Sequence, residues 1–185
     1  MKRYFLILLL TVITSIPLFA GTKLVTGSFN EMRGVSRIPV VLDWSQAVDE
    51  VTPDCFLFSE YINNDLNEAS LKYFVDLLLE YRNNSLKYFV AEFNEQVSEY
   101  GTSIALPCDD NESQYTIVIK TFTIKRNGNI TGAIYLNKEG DENPVGVAYF
   151  VSDDCDDDDA IAFRDQLRDI GKKLGRQVKK EFKKK

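Results

Sequence analysis

Three β-branched and aromatic segments separated by turn sequences constrain the fold of this chain more than any other feature. The segments YTIVIKTFTIK, NITGAIYL and VGVAYFV lie within residues 115–151. An Arg-Asn-Gly turn separates the first two, and NKEGDENP separates the second from the third. Because such turn residues between β-rich segments are typical of hairpins, the pattern predicts an antiparallel meander of three strands.

A helix is predicted after the meander. Its apolar residues recur at steps of three and four, which place them on one helical face: Phe163, Leu167, Ile170, Leu174 and Val178. Gly171 and Gly175 lie one turn apart in this segment, and we expect them to let the helix approach the sheet closely. The helix should therefore pack on the sheet through this face.

An acidic run precedes this helix, with six aspartates in the seven positions from Asp153 to Asp159. Negative charge at a helix N-terminus is favourable, so helix capping explains the run. The alternative is a calcium loop with Asp154, Asp156 and Asp158 as ligands at its first, third and fifth positions. Aspartate stands at the sixth position, where glycine is needed, and at the twelfth, where glutamate is usual. Capping is therefore favoured, and no metal site is predicted outright.

Helical periodicity also marks the middle of the chain. The hexapeptide SLKYFV occurs twice, at 70–75 and 85–90, with apolar residues at i, i+3 and i+4 in both copies. The polar sequence RNNS between the copies contains the capping residues Asn84 and Ser85. We therefore predict two helices, over 67–82 and 85–99, with one bent helix as the alternative.

Two β-rich segments near the N-terminus, KLVTGSFNEMRG and SRIPVVLDWSQA, meet at Gly34 and suggest a hairpin. Together these elements predict the α+β class. The expected architecture is a mostly antiparallel sheet of five or six strands, with two central helices and a long C-terminal helix packed on one face.

Residues 1–20 have the organisation of a cleaved signal peptide: Lys2 and Arg3, then an apolar run, then Ala20 before Gly21. The expected mature chain is one α+β domain over 21–185 with a basic C-terminal helix end, exported to the periplasm or secreted, without a membrane span. Loss of the signal would shift the net charge from −6 to −8, which disfavours nucleic-acid partners.

Three cysteines, Cys55, Cys108 and Cys155, have no metal-binding spacing. Cys108 precedes a predicted strand and Cys155 follows another. A disulfide between these two is one interpretation, and three free thiols is the other.

The residue inventory excludes several chemistries. The chain has no histidine, no phosphate-binding loop and no dinucleotide-binding glycine motif, so we expect no cofactor and assign no catalytic residue. Carboxylate-pair chemistry stays open, because the acids Asp43, Asp49, Glu50 and Glu60 could meet in a cleft.

The order of elements resembles that of small exported proteins of bacterial envelopes without an assigned function. The segments VVLDWS, FNEQVSEYG, YTIVIKTFTIKRNGNITGAIYL, VGVAYFV and FRDQLRDIGKKLG carry this likeness. More remotely, the chain is similar to TolB N-terminal-type and curli-secretion-type α/β domains. The resemblance implies an envelope protein and brings no catalytic residue with it.

The sequence thus favours a non-enzymatic binding or structural module of the cell envelope. Its partner would be another envelope protein or a surface component, and the oligomeric state is left open. One alternative is a carboxylate-dependent hydrolase acting on glycans, and another is a calcium-binding module that uses the acidic run.

Overall fold

The computed structural model describes residues 21–43, 45, 48–49, 68–107, 113–124, 130–152 and 160–184. The strands in these ranges are β1 (Gly21–Gly27), β2 (Ile38–Asp43), β3 (Val48–Asp49), β4 (Ile104–Ala105), β5 (Tyr115–Ile124), β6 (Ile130–Lys138) and β7 (Gly146–Val151). The helices are α1 (Glu68–Val97) and α2 (Ala160–Lys183), with short 3₁₀ turns at Phe29–Met32 and Ser98–Tyr100.

The sheet is mixed, so the prediction of a mostly antiparallel sheet is wrong. The strand order is β1-β7-β6-β5-β2-β4, with β3 also paired to β5. β2 is parallel to β4 and β5, and β3 is parallel to β5, whereas β5-β6, β6-β7 and β7-β1 are antiparallel. The parallel pairs arise because α1 lies between β3 and β4 along the chain, and a helical crossover returns the chain to run in the same direction.

The three-stranded meander is confirmed, because β5, β6 and β7 pair in sequence order. The predicted N-terminal hairpin is wrong. β1 pairs with β7, and β2 pairs with β5. The two N-terminal strands are therefore separated in the sheet, because each pairs with a strand that is distant in sequence. The turn residues between them carry no information about such distant pairing.

The prediction of two central helices is also wrong, since α1 runs unbroken from Glu68 to Val97. Ser85, expected as a cap, lies inside the helix and is 1% exposed. Serine and asparagine cost a helix only about 0.5 kcal/mol each, whereas burial of a Leu or Phe side chain contributes roughly 1.5–3 kcal/mol. Buried Leu86 and Phe89 follow directly, so packing carries the helix through the polar sequence.

Both helices cover one face of the sheet and form a core with its inward side chains. The predicted apolar face of α2 is confirmed where its side chains are described, because Leu167, Ile170, Leu174 and Val178 are at most 2% exposed. On the sheet, β2 alternates between buried and more exposed residues along its length. Neither helix combines the length and apolar character that crossing a bilayer requires, within the ranges described above.

The two glycines of α2 contact α1 and not the sheet, which corrects the expectation from the sequence. A Cβ atom on Gly171 would lie 2.6 Å from the carbonyl oxygen of Phe89 and 3.0 Å from its Cα atom. A Cβ atom on Gly175 would lie 2.9 Å from the Cβ of Gln96 and 3.0 Å from the carbonyl oxygen of Phe93. The contacts advance along both helices together, so α1 and α2 run in the same direction side by side.

Candidate functional site

The face of the sheet on which neither described helix, α1 nor α2, packs is here called the helix-free face. It carries a continuous row of apolar side chains. Val41 pairs with Val118, Val118 pairs with Tyr135, and Tyr135 pairs with Val147. Paired residues on neighbouring strands point to the same side of a sheet. The four side chains therefore form one row across β2, β5, β6 and β7, which is about 14 Å long at the usual strand spacing.

A second row lies beside the first and combines charge with an aromatic ring. Asp43, Lys120, Ala133 and Tyr149 are successive cross-strand partners. The Asp43 carboxylate accepts hydrogen bonds from the backbone N–H of Ser45 at 3.0 Å and from its hydroxyl at 2.7 Å. This row therefore has charged groups at its β2 end and Tyr149 at its β7 end.

Exposure of these side chains distinguishes the face from an ordinary solvated sheet. Val41 is 39% and Tyr149 is 40% exposed, and they are two of the three large apolar residues that stand out as exposed in the described part of the chain. Ala133, on β6 between these strands, is fully buried, and Val147, beside Tyr149 on β7, is 7% exposed. The face thus has a close-packed centre with exposed apolar groups at both sides.

Tyr135 lies at the middle of the face, and the packing around it changes the pKa of its hydroxyl. Partial burial raises the pKa of its hydroxyl, and the nearby Tyr149 raises it further. A polar margin lies beside this centre, where the hydroxyls of Thr123 and Thr131 are 2.6 Å apart. Aromatic side chains at an apolar centre with polar groups around it are typical of protein–protein contact surfaces.

The carboxylates proposed from the sequence do not form a site among the described residues. Asp43 is held by Ser45, Asp49 lies in β3, and Glu50 and Glu60 fall outside the described ranges. In the described part of the chain, no group of three or more Cys, Asp or Glu residues is placed to hold a metal ion.

Several other predictions fall on residues that the structure does not describe. They are the signal peptide 1–20, the thiols of Cys55, Cys108 and Cys155, and the calcium ligands Asp154, Asp156 and Asp158. These stay predictions.

Charged contacts between the helices have a structural role. Arg168 Nε donates to Glu92 Oε1 at 2.9 Å, and this hydrogen bond raises the pKa of the Arg168 guanidinium. One turn earlier, the Arg164 guanidinium lies 4.9 Å from the ring centre of Tyr88. Both contacts join α1 to α2 and hold the helices in one register.

The amino-acid sequence matches no protein-family model and no curated protein. Apart from Asp43, the residues of the helix-free face were not singled out from the sequence, although the strand VGVAYFV contains the signal. Its alternate residues Val147 and Tyr149 are as apolar as the inward Ala148 and Phe150, so neither face of this strand has the polar character of a solvated surface.

Proposed function

We propose that this protein is an exported, non-enzymatic binding module that docks another protein through its helix-free face. The observation that carries this proposal is the row formed by Val41, Val118, Tyr135 and Val147, together with the exposed ring of Tyr149. The exposed side chains of Val41 and Tyr149 and the partly exposed Val118 and Tyr135 lose contact with water when a partner covers them, which favours association.

The partner that this face suits is a protein surface. Tyr and Val side chains with a threonine margin offer apolar area and a few hydrogen bonds, which is the composition of an interface centre. Tyr149 is suited to be the dominant contact, because exposed tyrosines that become buried are frequent interface hot spots.

A crosslinking experiment tests the face directly. A photoreactive amino acid is placed at position 149 on the helix-free face and, as a matched control, at position 88, because Tyr88 is 41% exposed on α1. We expect a discrete crosslinked protein from position 149 and none of that mass from position 88. With the photoreactive group at position 149, the substitution Val41→Glu should abolish that product, whereas Tyr88→Glu should leave it intact.

Crosslinks of equal yield and mass from both positions would contradict the proposal. So would a position-149 product that Val41→Glu leaves unchanged. Circular dichroism and urea unfolding of each variant separate a lost interface from a lost fold.

Export is tested by mass spectrometry of the protein from its native host. The expected mature N-terminus lies close to Gly21, the first residue of β1, and carries no lipid. Recovery of the intact Met1 terminus in the mature fraction would contradict the exported location.

A further inference from the structure

The solvent side of the last turns of α2 carries a line of cations, here called the basic stripe: Lys172, Arg176, Lys180, Lys183 and Lys184. Steps of three and four residues bring the first four to one side of the helix, and Lys184 follows directly after its last residue. The stripe spans about 18 Å at 1.5 Å per residue. All but the half-buried Lys172 are exposed.

The acidic side chains near the stripe form ion pairs or hydrogen bonds with groups that do not belong to it. Asp169 pairs with Lys173 at 2.6 Å, and Glu99 pairs with Lys179 at 2.8 Å. Glu181, the one acid between Gly171 and Lys184, has its Oε2 turned to the N-terminus of the first 3₁₀ turn. It accepts from the Ser28 hydroxyl at 2.7 Å and from the Phe29 N–H at 3.0 Å.

The cations of the stripe therefore form no ion pair with the described residues, although the charge of Lys183 contributes to lowering the pKa of Glu99. Their positive charge otherwise faces solvent. The rest of the chain is acidic, since the whole sequence carries a net charge of −6. The stripe is thus a strongly positive strip on a chain that is acidic as a whole. An anionic surface would attract that strip and repel the remainder, which orients the molecule.

The shape and residue types of the strip indicate the class of ligand. Four of its five cations are lysines, which act as point charges on flexible stems and do not form the rigid fork that recognises a single phosphate. A helix surface is convex, so these side chains meet a broad field of charge. We propose that the basic stripe adsorbs to the anionic phospholipid headgroups of a membrane surface, independently of the helix-free face.

Adsorption would be electrostatic without insertion. The apolar face of α2 is already buried in the core, with Leu167, Leu174 and Val178 fully covered, so it is not offered to lipid. The inward face lies opposite the stripe on the helix, and the two described helices, α1 and α2, pack on the same side of the sheet. A molecule held by the stripe would therefore turn its helix-free face away from the membrane.

Vesicle co-sedimentation of the chain from Gly21 to Lys185 tests this proposal. Vesicles of phosphatidylcholine mixed with phosphatidylglycerol are compared with vesicles of phosphatidylcholine alone, at low ionic strength and in about 0.5 M salt, where exposed charges are strongly screened. We expect binding to the mixed vesicles only, with most of it lost at high salt.

Charge-matched variants locate the binding surface. Lys180→Gln with Lys183→Gln should weaken the partition coefficient about tenfold or more, since each cation near an anionic surface adds severalfold to binding. Arg37→Gln with Lys87→Gln removes the same charge from exposed positions elsewhere and should change binding less than about twofold. Lys180→Arg with Lys183→Arg keeps the charge and should keep binding.

Three outcomes would overturn the proposal: no binding to the mixed vesicles, equal binding to both kinds of vesicle, or equal losses in the stripe and control pairs. Tighter binding to a DNA duplex than to the mixed vesicles, weakened by the same stripe substitutions, would assign the stripe to nucleic acid instead. Circular dichroism verifies that each variant keeps its helices.

Discussion

Gly171 lies where the backbones of two helices come within van der Waals contact. Its missing side chain admits the main chain of α1 at Phe89, and that main chain can retreat only if the whole helix moves. At the scale of single residues, a hydrogen atom in place of a methyl group thus fixes the distance between α1 and α2.

Gly171→Ala is therefore expected to destabilise the protein. Overpacking costs about 1–3 kcal/mol, which exceeds the gain of about 1 kcal/mol that alanine brings in helix propensity. Urea unfolding measures the difference, and Lys180→Ala, at an exposed position of the same helix, should change the free energy of unfolding by less than about 0.5 kcal/mol. A more stable Gly171→Ala protein would show that the helices are not in contact here.

The Glu99–Lys179 ion pair predicts a dependence of stability on pH. The hydrogen bond between them lowers the pKa of Glu99 below 4.5 and raises the pKa of Lys179 above 10.5. The Glu99 contribution is present above pH 4.5 and is lost as the pH falls through its lowered pKa; the Lys179 contribution is present below pH 10.5 and is lost as the pH rises through its raised pKa.

Glu99→Gln should therefore lower the melting temperature at neutral pH, and the difference from the natural protein should shrink in acid and in strong base. Added salt should also reduce it, because both side chains are partly in solvent. Glu95→Gln is the control, since Glu95 is exposed and forms no ion pair with the described residues. A difference that is constant across pH would exclude the ion pair as its cause.

At the scale of secondary-structure elements, a side chain of α1 completes the edge of the sheet. β4 is only two residues long, and its inner side pairs with β2. On the other side, Asn94 Nδ2 donates to the Ile104 carbonyl oxygen at 2.9 Å, and the Ile104 N–H donates to Asn94 Oδ1 at 2.8 Å. The amide thus replaces a neighbouring strand.

Asn94→Ala should leave both backbone groups of Ile104, a residue 2% exposed, without these partners. The expected loss of stability is about 1–3 kcal/mol for each unsatisfied group. Asn94→Asp should also destabilise at neutral pH, since a carboxylate cannot donate to the carbonyl, and should recover part of the loss in acid, where the protonated carboxyl can donate. Urea unfolding at two pH values measures both effects; an Asp variant with no recovery in acid would contradict this role.

Local signals predicted the elements better than their arrangement. Turn chemistry located β5, β6 and β7, and periodicity located α2, because these depend on neighbours in sequence. The mixed sheet depends on which strands flank the crossover through α1, and the continuity of α1 depends on packing around Ser85. The helix-free face was missed for the same reason, since Tyr149 marks a surface only once the side covered by helices is known.

At the scale of the whole molecule, the last turns of α2 contact the segment that follows β1 near the start of the described chain. Phe182 is 1% exposed and packs edge-on against Tyr100 at 5.3 Å, while Glu181 binds the Phe29 N–H. Lys183 and Lys184 beyond them are exposed. The basic end of the chain therefore contains two residues that the fold needs, followed by two lysines that are exposed.

Truncation after Lys180 should consequently destabilise the protein by about 3–5 kcal/mol, the usual cost of removing a buried phenylalanine. Truncation after Lys183 keeps Glu181 and Phe182 and should cost less than about 1 kcal/mol. Thermal and urea unfolding of the two shortened proteins make the comparison. Equal stability of both would show that Phe182 does not belong to the core.

The pairing of the first strand with the last has a consequence for how the protein is made. The ribosome releases β1 early, yet β1 pairs with β7, and Ser28 meets Glu181 only 153 residues later. At roughly 5–20 residues per second, those residues take about 8–30 seconds to synthesise. During that time the sheet cannot close, so the growing chain is open to any factor that holds or threads unfolded polypeptide.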